Sequence, residues 1–100
     1  MKVNNECIKA VLNYVIDNSV VEFDEHIGYK GLSLLSIIND VSNNDTYSKE
    51  QVLHSCIYAY KCQYIDANRE MGDCSNIVTA RVKIYDVTPY GYKFLGENNE

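Results

Sequence analysis

Residues 47–65 decide the fold, and they read YSKEQVLHSCIYAYKCQYI. Ser48 is followed three positions later by Gln51, a spacing typical of a capping box, in which each side chain bonds to the backbone amide of the other residue. Tyr47, just before the cap, is placed to pack on Val52 across the first turn. The stretch therefore predicts a helix that begins after Ser48 and passes into a strand at its end.

The predicted helix has an apolar side and a polar side. Its apolar residues recur at spacings of three and four, which is the pattern of a helix packed against a core. They are Val52, Leu53, Cys56, Ile57 and Tyr60. The other side carries Lys49, Gln51, His54, Ser55, Tyr58 and Lys61. A buried side combined with a free polar side is typical of a helix that recognises a partner through its polar side.

Upstream of this stretch the sequence predicts two helices and one short strand. An apolar stripe predicts a first helix over about residues 5–17. Residues 20–23 alternate like a small strand, and residues 24–31, which contain two glycines, are predicted to form a loop. A second apolar stripe predicts a helix over residues 33–41, and a short polar turn then leads to the third helix. Two helices joined in this way form a helix-turn-helix arrangement.

Downstream of the stretch the period of the pattern changes. Residues 64–65 begin a strand, residues 67–76 form a polar loop, and residues 78–85 alternate like a second strand. Thr88, with a proline directly after it, predicts the start of a last helix, and Gly96 predicts its end. The two strands are therefore expected to form a hairpin with a long tip, followed by a helix.

The order of these elements predicts one domain spanning residues 1–100. Helix, short strand, helix, turn, helix, strand, wing, strand and helix is the order of a winged helix-turn-helix domain with an added C-terminal helix. The expected fold class is α+β, with a two-stranded wing. An unrelated small α+β fold with the same order of elements stays open as the alternative.

Composition restricts the class of protein. A chain of 100 residues that is 46% hydrophobic can bury a core without metal or disulfides. Its four cysteines lack the paired spacing of metal sites, so we expect free thiols and no cofactor. No apolar run approaches the length of a membrane span, and the N-terminus does not resemble a signal peptide. A reduced, cytoplasmic protein that does not act at a membrane is the expectation.

The net charge of -5 disfavours strong, sequence-independent binding to nucleic acid, because lysines and arginines supply that affinity. The charge is unevenly distributed along the chain. Residues 1–47 contain three bases and seven acids, whereas residues 48–83 contain five bases and four acids. An anionic partner would therefore meet the second half of the chain.

Three short segments carry a resemblance to a known family. They are Tyr47-Ser48-Lys49-Glu50, Tyr64-Ile65-Asp66-Ala67 and Ile84-Tyr85-Asp86-Val87-Thr88, the last one followed by Gly91, Phe94 and Leu95. From about residue 47 onward the chain resembles a family of short winged-helix-like proteins of unassigned function, which occurs in phages and prophages of Gram-positive bacteria. In that family the last helix opens with Thr-x-x-Gly-His-x-Phe-Leu, and Tyr92 stands here at the histidine position. The resemblance implies a winged-helix fold and a phage-related origin, and it implies no catalytic activity.

Two sets of residues form the candidate nucleic-acid-binding site. The set on the third helix is Lys49, Gln51, His54, Ser55 and Tyr58. Gln51 suits an adenine edge, and Lys49 suits a phosphate or a guanine. The set on the wing is Arg69, Arg81 and Lys83, with Arg81 and Lys83 expected on one face of a strand. The alternative interpretations are an ordinary solvated helix face and a strand made basic for edge protection or solubility.

The sequence shows no catalytic constellation. Glu22, Asp24, Glu25 and His26 lie close together, but a metal site needs a converging second cluster, and none is evident. Neither a glycine-rich phosphate loop nor a nucleophile elbow occurs, so we do not expect an enzyme. Nine tyrosines without a tryptophan fit either a protein interface or the edge of a small core.

Two function hypotheses follow from these patterns. The leading one is a small phage- or prophage-derived DNA-binding or regulatory protein, which binds double-stranded DNA weakly as a monomer and better as a homodimer. The rival is an acidic protein-protein interaction module on the same fold, whose carboxylates imitate phosphates and bind or inhibit a host nucleic-acid-binding or defence protein. A continuous positive face across Lys49, Lys61, Arg81 and Lys83 would favour DNA, and a continuous acidic or tyrosine-rich face would favour protein.

Overall fold

The computed structural model describes residues 1–25, 27–72 and 75–98. The helices and strands, in chain order, are α1 (Asn5–Asn18), β1 (Val20–Phe23), β2 (Ile27–Lys30), β3 (Leu32–Ser33), α2 (Leu34–Val41), α3 (Lys49–Lys61), β4 (Ile65–Ala67), β5 (Lys83–Val87) and α4 (Pro89–Glu97). Two short 3-10 turns, Arg69–Gly72 and Thr79–Arg81, lie between β4 and β5. The protein is a small domain of mixed α+β structure.

Two helices begin at the caps that the sequence predicts. The Ser48 hydroxyl oxygen accepts a hydrogen bond from the Gln51 amide at 3.1 Å. The Thr88 hydroxyl oxygen accepts one from the Gly91 amide at 3.2 Å, and Pro89 occupies the first position of α4. Each cap satisfies an amide that the helix itself leaves unpaired, so both predicted starts are confirmed.

The strands form two small antiparallel sheets. One contains β3, β5 and β4 in that spatial order, and the other is the hairpin of β1 and β2. The helices α1, α2 and α3 pack together beside the three-stranded sheet. Their apolar sides form the core together with the inner face of the sheet, and its fully buried members include Ile8, Val11, Leu12, Val15, Leu34, Ile37, Val52, Cys56, Val82 and Ile84. This arrangement is compatible with the winged-helix prediction.

The predicted loop over residues 24–31 contains a strand, so that prediction is wrong for half of its length. β2 pairs with β1 in a register that places Val21 opposite Tyr29 and Phe23 opposite Ile27. Gly28, at φ +130°, weakens the strand pattern in the sequence, and pairing with β1 supplies the missing order. The strand that joins the main sheet between α1 and α2 is β3 instead.

The second strand of the predicted wing is shorter than the sequence pattern indicates. β5 begins only at Lys83, because its register with β4 places Ala67 opposite Ile84 and leaves residues 78–82 without a partner on β4. Residues 79–81 form a 3-10 turn instead. The other 3-10 turn places Met71 in the core at 1% exposure, so the connection folds back onto the domain.

The helix α3 is rotated relative to its predicted orientation. Ser55 and Ala59 are buried, whereas Leu53, Ile57 and Tyr60 are only partly buried. The small side chains of Ser55 and Ala59 allow the neighbouring helices to approach α3 closely. The prediction that Ser55 lies on the free polar face is therefore wrong.

Candidate binding surfaces

The predicted reading face of α3 is only partly available to a partner. Lys49 is exposed at the first position of the helix, and Gln51, His54 and Tyr58 are partly buried. Lys61 is exposed at the other end of the same helix. The structure therefore leaves two lysines at opposite ends of α3, with partly covered side chains between them.

Ser55 is 1% exposed and cannot contact a macromolecule in this fold. Its hydroxyl lies beside the Cys7 thiol without reaching hydrogen-bond geometry, and it has no partner among the described residues. The Cys7 thiol instead donates to the Gln51 carbonyl oxygen at 3.8 Å. Burial raises the pKa of Cys7, and the neighbouring hydroxyl offsets only part of that rise. This part of α3 thus belongs to the packing against α1.

The hydroxyl of Tyr58 has a neighbour of its own. It lies beside the thiol of Cys62, one turn further along the chain, and this contact raises the pKa of Tyr58. Tyr58 is also partly buried and packs against the core, so it is less available to a base edge than the sequence suggests.

Asn68 brings the three basic residues of the predicted wing to one place. Its backbone amide donates to the Lys83 carbonyl oxygen at 3.0 Å, and its side-chain amide donates to the Arg81 carbonyl oxygen at 2.7 Å. Arg69 follows Asn68 directly in the chain, and all three bases are exposed. None of them forms an ion pair with a carboxylate of the described residues. The expectation that Arg81 shares a strand face with Lys83 is wrong, because Arg81 lies in a 3-10 turn.

The outer face of the main sheet carries two opposed carboxylates. Asp66 on β4 lies directly opposite Asp86 on β5, and antiparallel partners of this kind point to the same face. Asp86 is held in place because its own Oδ1 accepts the Val87 amide at 2.8 Å. Like charges in this position repel each other, so the pair raises the local negative potential.

One tyrosine contacts this pair, and a second lies near that tyrosine. The Tyr29 hydroxyl, on the β1–β2 hairpin, lies beside the Asp86 carboxylate, which raises the pKa of Tyr29. Tyr92 and Asp66 raise it further through their own charges. Tyr29 and Tyr92 are 50% and 51% exposed. We name the surface formed by Tyr29, Asp66, Asp86 and Tyr92 the acidic tyrosine patch.

Sequence reasoning missed the acidic tyrosine patch. Asp66 and Asp86 are twenty residues apart in the chain, and Tyr29 lies on a segment predicted to be a loop. Tyr92 differs from the histidine of the family motif, but nothing in the sequence links it to the two carboxylates. No local signal joins these four residues, since only the strand register and the position of the hairpin bring them together.

An open groove of about 670 Å³ runs beside the patch. It lies between the end of α3, strand β4 and the start of α4. Lys61 and Asp66 line it together with the aromatic rings of Tyr60 and Tyr90. Asp66 thus borders both the groove and the patch, and the two surfaces are continuous.

The described residues hold no group of three or more His, Cys, Asp or Glu side chains that could bind a metal ion. His26, part of the acidic segment noted in the sequence, lies outside those residues, as does Cys74. The thiols of Cys7, Cys56 and Cys62 are free. None of the helices in the described ranges is long and apolar enough to cross a membrane.

Comparisons with models of known protein families, with curated proteins and with solved structures found no match to this chain.

Proposed function

We propose that this protein is a protein-binding module on a winged-helix-type domain, and that the acidic tyrosine patch is its binding surface. The observation that carries the proposal is the position of the exposed Asp66 directly opposite the half-buried Asp86 on the outer face of the sheet. The sequence alone favoured DNA binding over protein binding. The continuous acidic, tyrosine-rich surface is the reason that protein binding now comes first.

The chemistry of the patch supports a cationic partner. Two opposed carboxylates destabilise the strand pair, and a lysine or arginine placed between them would relieve the repulsion. Arginine is well suited because its planar guanidinium bonds two carboxylate oxygens at once. Exposed tyrosines such as Tyr29 and Tyr92 add apolar area to the patch, and tyrosine is enriched in protein interfaces.

The order of the secondary structure supports the winged-helix part of the proposal. The strand β3 lies between α1 and α2 in the chain. In the sheet order β3, β5, β4, the two strands of the predicted wing, β4 and β5, lie side by side. The helices α2 and α3 follow each other in the chain and pack together, which is the order of a helix-turn-helix, although residues 42–48 make a longer connection than the usual turn. Resemblance of the second half to a phage and prophage family supports a host protein as the partner.

The class of partner follows from the charge of the patch. A protein surface rich in lysine and arginine, such as one that itself binds nucleic acid, complements paired carboxylates. The carboxylates would occupy the positions that phosphates take in the partner's own complex. Binding of this kind is expected to weaken as the salt concentration rises.

Capture from a lysate of the natural host tests the proposal. The immobilised protein is compared with the double variant Asp66→Asn/Asp86→Asn, with nuclease-treated and untreated lysates run in parallel. The matched control is Asp17→Asn/Asp45→Asn, which removes two exposed carboxylates elsewhere. Basic proteins should be captured with and without nuclease by the wild type and the control, and lost by the patch variant. Capture that the patch variant retains, or that nuclease abolishes, would contradict the proposal.

A second candidate function is DNA binding, and the grouping of bases around Asn68 favours it. The bases that lie around Asn68 are Arg69, Arg81 and Lys83. None of them forms an ion pair with a carboxylate of the described residues. With Lys49 they make four phosphate contacts at most, so the slope of log affinity against log salt should be no steeper than about -3.6 per monomer. Titration of duplex DNA at low salt measures that slope, and lack of binding removes this candidate.

A further inference from the structure

One face of the hairpin of β1 and β2 is a contiguous apolar surface. Phe23 and Ile27, which lie opposite each other, are 86% and 76% exposed. Val21 and Tyr29, the next pair on the same face, are 63% and 50% exposed. We name these four residues the apolar strip. They expose on the order of 500 Å², which is as much as the largest apolar patch of a typical monomer, and patches of this size often bind a partner.

The chain itself leaves the apolar strip uncovered. None of its four side chains belongs to the core cluster or packs against it within the described part of the chain. A two-stranded hairpin alone is marginally stable in water, so a partner that covers this face would also stabilise the hairpin.

Tyr29 joins the apolar strip to the acidic tyrosine patch. Its ring belongs to the strip, and its hydroxyl lies beside the carboxylate of Asp86. The strip therefore faces the same side of the molecule as the opposed carboxylates of Asp66 and Asp86. The two surfaces form one continuous face, apolar along the hairpin and acidic on the sheet.

Carboxylates also lie at the other end of the apolar strip. Asp24 and Glu25 directly follow β1 at the tip of the hairpin, and both are exposed. They line an open hollow of about 390 Å³ together with Phe23. The strip is thus bordered by acidic residues at its tip and, through the acidic tyrosine patch, at its base.

Two lysines near the hairpin do not cancel this charge. Lys30 alternates with Tyr29 along β2 and therefore points to the opposite face of the hairpin. Lys83 lies near the base, since a Cβ atom on Gly31 would lie 2.8 Å from Lys83 Cβ. Two carboxylates at the tip and two at the base leave the surface negative in spite of Lys83.

We propose that the apolar strip and the acidic tyrosine patch form one binding surface, and that its partner is a basic amphipathic segment of another protein. Apolar side chains of the segment cover the strip, and lysines or arginines on both sides of them pair with the carboxylates at the tip and the base. The inference rests on the proposed function, which makes the patch a surface for basic proteins, and it adds the apolar contact.

The charges favour this partner over a second copy of the chain. Two copies stacked strip against strip, in either direction, would bring acidic ends against acidic ends. An anionic membrane surface and a nucleic acid would be repelled for the same reason. A basic segment relieves the repulsion at both ends. One helix is wide enough, because its diameter of about 10 Å spans two strands that lie about 5 Å apart.

Selection from a library of random linear peptides, with the immobilised full chain as bait, tests the proposal. We expect the enriched peptides to share large apolar residues in the centre with lysine or arginine on both sides. A peptide of the enriched class is then synthesised, and its affinity for the soluble protein is measured by fluorescence anisotropy.

Two double variants separate the parts of the surface. Phe23→Thr/Ile27→Thr removes most of the apolar strip and keeps residues that favour strands. Asp66→Asn/Asp86→Asn removes the carboxylates at the base. Each should weaken peptide binding about tenfold or more, because large side chains and paired charges at the centre of an interface dominate affinity. Leu35→Thr is the matched control, since Leu35 is 48% exposed on α2, and it should bind like the wild type.

Two further measurements show that the variants act on the interface. Because the strip lies outside the core, Phe23→Thr/Ile27→Thr should leave the urea denaturation midpoint unchanged. Binding that remains in this variant should still weaken as the salt concentration rises, whereas binding that remains in Asp66→Asn/Asp86→Asn should respond less to salt. Replacing the apolar residues of the peptide with serine, or its bases with glutamine, should reproduce the two losses on the wild-type protein.

The outcomes distinguish this inference from the proposed function. Peptides that are basic without apolar residues, and that only Asp66→Asn/Asp86→Asn releases, would overturn the inference and leave the proposed function standing. Apolar peptides that only Phe23→Thr/Ile27→Thr releases would contradict both. So would a selection that enriches no peptide. Self-association of the wild type, or binding to phosphatidylcholine vesicles, that requires Phe23 and Ile27 would assign the strip to another occupant and overturn the inference.

Discussion

The ring of Tyr64 stacks on the ring of Phe94, with centroids 4.9 Å apart and an angle of 29° between the planes. Tyr64 lies in the turn between α3 and β4, and Phe94 lies in the middle of α4. The contact joins the last helix to the turn that follows α3. Stacked rings of this kind add to the free energy that burial supplies.

Thr88 and Gly91, which belong to the same Thr-x-x-Gly-x-x-Phe-Leu segment as Phe94, also contact this turn. The Thr88 hydroxyl donates to the Gln63 carbonyl oxygen, and the Thr88 amide donates to the Tyr64 carbonyl oxygen at 2.9 Å. Gly91 approaches that carbonyl so closely that a Cβ atom there would lie 2.4 Å from it. The motif therefore has a packing explanation, in which Thr88, Gly91 and Phe94 fix α4 against this turn.

The first prediction concerns Gly91. Because a Cβ atom would also lie 2.5 Å from Val87 Cγ1, Gly91→Ala should lower the free energy of unfolding by about 1 to 3 kcal/mol. Gly96 is the control: it was expected to end α4 but lies inside it, with open space around a Cβ atom. Gly96→Ala should raise the free energy by about 0.5 to 1 kcal/mol. Urea denaturation measures both, and equal responses would contradict the close approach.

The second prediction concerns the start of α3. Ser48→Ala removes the acceptor of the Gln51 amide and should cost about 1 kcal/mol of stability. Ser36→Ala, on the exposed side of α2, makes the same chemical change without a cap and should stay within about 0.5 kcal/mol. An unchanged denaturation midpoint and slope for Ser48→Ala would mean that the cap does not stabilise the helix.

The third prediction tests the rotation of α3. Ser55→Ala removes a buried hydroxyl that has no partner in the described structure, so stability should be unchanged or slightly higher. Ser55→Leu should cost about 1 to 3 kcal/mol, because the site is fully packed. Thermal unfolding of both variants separates the two orientations. If Ser55 lay on the free polar face, neither substitution would change the melting temperature appreciably.

The fourth prediction concerns alkaline pH. The Tyr14 hydroxyl donates to Asp40 Oδ2 at 2.5 Å, and this bond, the largest cause, raises the pKa of Tyr14 to about 12. In the unfolded chain the Tyr14 hydroxyl has a pKa near 10. The stabilisation that its bond to Asp40 supplies is therefore complete below about pH 10 and is lost as the pH rises through about 12. Tyr14→Phe should therefore be less stable than wild type at pH 8, and the difference should vanish toward pH 12. A difference that persists would contradict the assignment.

The fifth prediction concerns thiol reactivity. Cys56 is fully buried, and desolvation is the main cause that raises its pKa to about 12, whereas Cys62 is partly exposed. An alkylating reagent applied to the folded protein should label Cys62 well before Cys56 or Cys7. Peptide mass spectrometry measures each site, with the urea-unfolded protein as the control in which all sites react. Reductant should leave the melting temperature unchanged, since these three thiols are free.

Much of the local structure could be predicted from the sequence. Ser48 and Thr88 were recognised as caps because a cap and the amide it satisfies are three residues apart. The rotation of α3 could not be predicted, because Leu53 and Ile57 are more apolar than Ser55 and Ala59. Close packing against α1 selected the small residues for burial instead.

The sequence by itself determined where the helices begin, that the chain mixes helices with short strands, and that its charge is acidic overall. Only the tertiary structure decided which side chains share a surface. It placed Asp66 opposite Asp86, gathered Arg69, Arg81 and Lys83 around Asn68, and left the hairpin apart from the core. The physical reason is range: a helix cap is satisfied within one turn, whereas strand register depends on packing between residues far apart in the chain.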